Sequence, residues 1–154
     1  YYPPIGQRSF GPMRAQLIHG SQYFNKANDN ILSFAMIETK EAVNNLDEIL
    51  SVKNLTGVYI GPADMSSSYG LQPKFDIKED PIFSNIKLIA KKAQEYNKIA
   101  GIHTGSTAYA KEMIELGFNL VTISSDFRAM TTFAQNLINE MKETNINESK
   151  SDTY

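Results

Sequence analysis

The chain has 154 residues, 42% of them hydrophobic and 21% charged, with a net charge of −2 and no cysteine. That length supports one domain with a real core, and the weak charge, without clustered basic residues, argues against nucleic acid as a partner. The absence of cysteine excludes disulfides and thiolate metal sites within it and fits a reducing compartment. No apolar run approaches the roughly 20 residues of a membrane helix, and the first residues lack a signal peptide's charged-then-apolar order. A cytoplasmic protein is expected. The opening Tyr1-Tyr2-Pro3-Pro4 carries no initiator Met, as expected of the downstream part of something longer.

Residues 1–20 are punctuated by Pro3-Pro4 and Gly11-Pro12, which exclude helix locally and predict an extended loop carrying Arg8, Arg14 and His19. A short helix over 22–28 and a turn at Asn28-Asp29-Asn30 follow. Then a βα rhythm begins. The apolar run over 31–37 predicts a parallel strand covered on both faces, and Ala42, Val43, Leu46, Ile49 and Leu50 predict an amphipathic helix over 40–51. A second unit has a strand over 56–61, a loop over 62–80, and a helix over 82–96 with Asp80 as cap and Pro81 at its first position. A third has a strand over 98–103 and a helix over 106–116, capped by Ser106 and closed by Gly117. The fourth has a strand over 118–124 and a helix over 127–142. The domain is thus expected over 1–143, with a disordered polar tail over 144–154.

Four consecutive βα units imply a parallel sheet with right-handed crossovers. Two architectures fit: an open doubly wound sheet, or half of an eight-stranded barrel, which takes about 250 residues when whole. The first strand turn lacks a Gly-x-Gly-x-x-Gly motif, so a dinucleotide fold has no support.

In either architecture ligands sit at the carboxyl ends of the strands. Gly61-Pro62 ends the second strand abruptly, and Asp64 follows. Glu38 ends the first strand. Two carboxylates there, with no lysine at any of the four strand ends, call for a proton or for a hard divalent cation with oxygen ligands. The bland alternative is that Asp64 caps a turn through Ser66 and Glu38 caps the helix beginning near Lys40. His103 ends the third strand as a candidate pocket residue, although a satisfied neutral imidazole is the commoner fate. Gly105-Ser106 could offer free N–H groups to an anion, and Asp126 is expected to cap the last helix.

Several stretches carry a resemblance. Tyr2-Pro3-Pro4-x-Gly6-x-Arg8-Ser9, Ala27-Asn28-Asp29, Met36-Ile37-Glu38-Thr39, Asn45-Leu46-Asp47-Glu48-Ile49-Leu50 and Gly61-Pro62-Ala63-Asp64-Met65-Ser66 resemble the HpcH/HpaI aldolase family, which includes citrate-lyase β-like proteins. Gly101-Ile102-His103-Thr104-Gly105-Ser106 and Val121-Thr122-Ile123-Ser124-Ser125-Asp126 resemble its seventh and eighth strands. The resemblance implies strands five to eight of a phosphoenolpyruvate/pyruvate-type TIM (β/α)₈ barrel. It implies Glu38 and Asp64 as ligands of a divalent cation, Mg²⁺ or Mn²⁺ with Co²⁺ as a further candidate. It also implies that the backbone N–H groups of Ala63 and Asp64 bind the pyruvate carboxylate.

The implied reaction is reversible cleavage of a 4-hydroxy-2-oxo or 2-oxo-3-deoxy acid to pyruvate and an aldehyde. Charge develops on the ketone oxygen, where a Lewis acid stabilises it. The family's catalytic His and pyruvate-binding Arg belong to early strands and are not among these residues. His103 lies on a different strand and is no substitute. Met36 stands where well-studied members carry Gln. The resemblance further implies a homo-oligomer. Rival readings are a CoA-thioester lyase of the citrate lyase β or malyl-CoA type, and a non-catalytic half-barrel. The long loop over 69–78 is a candidate lid or subunit contact.

Overall fold

A computed structural model describes residues 1–151, with side chains described through residue 142. The tail expected over 144–154 falls outside the residues described to that level. Four strands, β1 (Phe34–Ile37), β2 (Gly57–Ile60), β3 (Ile99–Thr104) and β4 (Leu120–Ile123), form one sheet in the order β1-β2-β3-β4. Every pairing is parallel, with Met36 opposite Tyr59, Tyr59 opposite Gly101, and His103 opposite Thr122. Eight helices complete the described chain: α1 (Met13–His19), α2 (Tyr23–Asn30), α3 (Lys40–Asn44), α4 (Leu46–Ser51), α5 (Pro62–Ser68), α6 (Ile82–Glu95), α7 (Thr107–Glu115) and α8 (Asp126–Ser151).

Strand residues alternate between two faces. Ile37, Val58, Ile60, Ala100, Ile102 and Thr104 are fully buried and pack under Val43, Leu46 and Leu50 of α3 and α4, the isoleucines of α6, and Tyr109 and Met113 of α7. The opposite face, with Met36, Tyr59, His103 and Thr122, is only partly covered, and Met36 is 50% exposed. Covering on both faces, expected from the apolar run over 31–37, is therefore not what the described residues provide. Helices α3, α4, α6 and α7 pack on one side and leave the other, inner face open at the cavity end.

Several local expectations change. The segment over 1–20 is not wholly extended: Pro12 sits at the cap of α1, where a missing N–H costs nothing, and its carbonyl accepts from Gln16 N at 2.7 Å. Asn28-Asp29-Asn30 belongs to α2 rather than to a turn. The helix over 40–51 is divided at Asn45, a residue whose side chain competes with the helical backbone, although its buried stripe is intact. The loop over 62–80 opens with α5, because Pro62 takes the first helical position. Asp80 acts one residue further out than expected: α6 starts at Ile82, and Asp80 Oδ1 accepts from Ser84 N at 3.0 Å and Ser84 Oγ at 2.6 Å. Ser106 caps α7 as expected, and Gly117 follows it at φ 98°. The cap of α8 is Ser125, whose Oγ accepts from Arg128 N at 3.2 Å, while Asp126 accepts only from the adjacent Phe127 N.

The two N-terminal motifs hold one another. Tyr2 is buried, its N–H donates to Asn28 Oδ1 at 2.6 Å, and Asn28 Nδ2 donates back to the Tyr2 carbonyl at 3.0 Å. The Arg8 guanidinium lies 5.3 Å from the Tyr2 ring centroid, so this exposed arginine rests on an aromatic face, and it has no ion pair among the described residues.

Candidate active site

At the carboxyl ends of the strands lies a cavity of about 210 Å³ lined by Met36, Tyr59, Gly61, Pro62, Ala63, Asp64, Phe75 and His103. β1 ends one residue before Glu38, whose Oε2 lies 2.8 Å from the position a Cβ would take on Gly61. Only glycine lets the Glu38 carboxylate lie against the chain where it enters α5. Asp64 sits in the first turn of that helix. The two sequence-predicted carboxylates therefore follow neighbouring strand ends, Glu38 against Gly61 and Asp64 three residues beyond that glycine and lining the cavity.

Neither carboxylate serves the bland role. Thr39, not Glu38, caps α3, its Oγ1 accepting from Ala42 N at 3.0 Å. Ser66 Oγ donates to the Pro62 carbonyl at 2.8 Å rather than to Asp64. Among the described residues neither Glu38 nor Asp64 has an ion pair or a protein hydrogen bond. A second cavity, about 310 Å³, also carries two carboxylates, Glu79 and Asp80. Those are engaged: hydrogen bonding from Lys74 holds the Glu79 carboxyl below its usual range, and Ser84 does the same for Asp80.

Ala63 and Asp64 also contribute backbone. Pro62 has no N–H, and the helical ladder of α5 starts with Met65 N donating to Gly61 O at 2.9 Å. The N–H groups of Ala63 and Asp64 thus belong to the unladdered first turn, which favours negative charge. The Gly105 N–H, by contrast, is taken by Asp76 Oδ1 at 2.7 Å, so Gly105-Ser106 does not offer the free pair of donors expected from its sequence.

His103 lines the cavity, with Nδ1 3.0 Å from Thr122 Oγ1. The Phe75 ring meets His103 edge-on at 5.2 Å, and the Arg128 guanidinium lies 5.5 Å from the Phe75 centroid. Phe75, Tyr59, Thr122 and Arg128 were not singled out from the sequence. The period-2 alternation could have flagged Tyr59 and Thr122, each a polar-tipped residue on the face opposite the core positions of its strand. The loop carrying Phe75 is fixed by Asp76 and by Tyr109, whose OH donates to Ile77 O at 2.6 Å; burial pushes the Tyr109 phenol well above its ordinary value.

Two acidic side chains without protein partners among the described residues thus lie beside first-turn N–H groups at the strand ends of a parallel α/β sheet, where such proteins place their ligands, and carboxylate oxygens are the donors a hard divalent cation takes. The donor chemistry fits such an ion. The chain belongs to the HpcH/HpaI aldolase/citrate lyase family, whose profile matches residues 2–131. It is 39% identical over 138 residues to a hydroxypyruvate/pyruvate aldolase of Rhizorhabdus wittichii, covering 90% of this chain and 55% of that protein. A 4-hydroxy-2-oxo-heptane-1,7-dioate aldolase of Escherichia coli is 33% identical over 139 residues, covering 88% of this chain and 52% of that protein. The fold matches the crystal structure of an HpcH/HpaI aldolase from Desulfitobacterium hafniense with a TM-score of 0.78 at 24% identity, over 92% of this chain and 56% of that one. The chain spans about half the length of the relatives it matches, and its four βα units correspond to half of their TIM barrel.

Proposed function

We propose that the protein carrying this chain is a metal-dependent carbon–carbon lyase that cleaves a 4-hydroxy-2-oxo or 2-oxo-3-deoxy acid to pyruvate or a close 2-oxo acid and an aldehyde. The observation that carries this reading is a pair of carboxylates without protein partners among the described residues, Glu38 lying against Gly61 and Asp64 in the first turn of α5, at two neighbouring strand ends. They would hold a divalent cation, Mg²⁺ or Mn²⁺ foremost. Such an ion supplies Lewis-acid stabilisation of the negative charge that develops on the ketone oxygen as the carbon–carbon bond breaks or forms.

The chain's own groups supply the rest of the setting. The Ala63 and Asp64 N–H groups receive the substrate carboxylate at the positive end of α5. Met36, Pro62 and Phe75 give the cavity an apolar wall that reduces water access and strengthens the electrostatics within. His103 binds substrate from the third strand. Aldolase names among relatives at 33–39% identity support the reaction class.

A cytoplasmic homo-oligomer is part of the same proposal. Among the described residues no helix is long and apolar enough to cross a membrane. The exposed Phe127, Met130, Phe133 and Met141 of α8 give a second copy an apolar surface to cover.

The test is retro-aldol turnover of the intact protein with 4-hydroxy-2-oxo acids as divalent ions are removed and restored. Glu38→Gln and Asp64→Asn should each lower kcat/KM by about a hundredfold or more, the scale on which lost charge stabilisation is felt. Full metal-dependent turnover in either variant contradicts the assignment.

A further inference from the structure

On the inner face of the sheet, three polar side chains from three strands touch in sequence. The Tyr59 hydroxyl on β2 bonds the Thr122 hydroxyl on β4, and Thr122 Oγ1 bonds His103 Nδ1 on β3 at 3.0 Å. Tyr59 reaches β4 by lying across β3, and the sequence leaves room for it: a Cβ on Gly101 would come within 2.6 Å of Tyr59 Cδ2. His103 Nε2 has no protein hydrogen-bond partner among the described residues, and the ring lines the cavity beside Asp64.

The direction of the hydrogen bonds follows from donor strength. Either order makes two bonds and leaves one donor and one acceptor over, but a phenol is a stronger donor and a poorer acceptor than an aliphatic hydroxyl, so Tyr59 donates to Thr122. The Thr122 proton then has Nδ1 as its one protein acceptor among the described residues, and the neighbour on one ring nitrogen decides which nitrogen carries the proton.

We propose that Tyr59 and Thr122 are positioning residues for His103, fixing the tautomer in which its Nε2–H is offered to a hydroxyl oxygen of the substrate. This rests on the aldolase reading above, in which the substrate carboxylate and ketone are already provided for by α5 and the two acids. The remaining oxygen is then a hydroxyl on the 2-oxo acid, as in hydroxypyruvate against pyruvate, or one on the aldehyde, as in glycolaldehyde against acetaldehyde.

Two measurements test it. ¹⁵N-histidine NMR of the intact protein above the imidazole titration reads the His103 tautomer, with His103→Gln identifying which signals belong to that ring. The expected wild-type signature is a protonated Nε2 and an unprotonated Nδ1, retained in Thr122→Ser and lost or mixed in Thr122→Val and Tyr59→Phe. A protonated Nδ1 in the wild type, or an unchanged tautomer in both deletion variants, overturns the proposal.

Kinetics then identify the oxygen. The ratio of kcat/KM for hydroxypyruvate over pyruvate with a common aldehyde, or for glycolaldehyde over acetaldehyde with a common 2-oxo acid, should fall about fivefold or more in Thr122→Val, as expected for one lost neutral hydrogen bond, and recover in Thr122→Ser. The pair whose ratio falls names the source. Equal losses for all four substrates overturn the proposal as a mere structural effect. A wild-type protein that turns over none of them refutes the aldolase reading instead, while the tautomer still decides the positioning claim.

Discussion

The two faces of the sheet are made from alternate residues of the same strands, yet they are built on opposite rules. On the helix side Ile37, Val58, Ile60, Ala100 and Ile102 are closed off from solvent within one apolar cluster. On the inner side the same strands present Met36, Tyr59, Gly101, His103 and Thr122, and Glu38 and Asp64 follow at the strand ends. Large side chains there rest over glycines, two carboxylates have no protein partner among the described residues, and hydroxyls bridge strands. One face maximises burial, and the other leaves unspent polar capacity. Stability and chemistry are thereby assigned to separate residues only one position apart in sequence, and a substitution should report on one or the other.

The largest stability effect belongs to the closed face. Ile102→Ala should lower the unfolding free energy by about 2–5 kcal/mol, the combined loss of transfer energy and cavity formation at a fully buried site; a denaturant titration measures it, and a loss under 1 kcal/mol would mean the face tolerates voids it has no evident way to fill. A smaller effect is expected where loop meets core. Tyr109→Phe removes the donor to the Ile77 carbonyl and should cost about 1–3 kcal/mol, since a buried acceptor is left unmade. It should also loosen the loop that carries Phe75 to the cavity, read as faster amide exchange over 71–80. The smallest lies at the rim. Ser124 has φ 58°, a left-handed conformation that an L side chain adopts at a cost of about 1 kcal/mol, so Ser124→Gly should raise the thermal midpoint slightly; a lower midpoint would show that the Ser124 side chain contributes more than its backbone strain removes.

The same contrast explains what the sequence reveals and what it hides. Burial leaves a periodic trace, so the βα rhythm and the core faces of α4 and α6 are readable from spacing alone. The places of the two acids are also readable, because each follows the abrupt end of an apolar run. Contacts on the inner face leave no such trace. Tyr59 and Thr122 are 63 positions apart, and their meeting depends on the register of two intervening pairings and on a glycine on the strand between them. Phe75 sits in a segment without periodicity, and its place over His103 is set by Asp76 and Tyr109 on either side of a turn. Helices α1 and α5 were hidden for another reason: a proline read as a breaker of the preceding element is equally the opener of the next.

The central claim, that Glu38 and Asp64 are held ready for a divalent cation while the fold is stabilised elsewhere, is tested most directly by Mn²⁺ titration followed by electron paramagnetic resonance on the intact protein and its Glu38→Gln and Asp64→Asn variants, with unfolding midpoints of the metal-free proteins measured alongside. The account predicts saturable Mn²⁺ binding in the wild type, its loss in both variants, and metal-free midpoints that barely move. Wild-type affinity retained in both variants, or variants that unfold without losing affinity while folded, would contradict it.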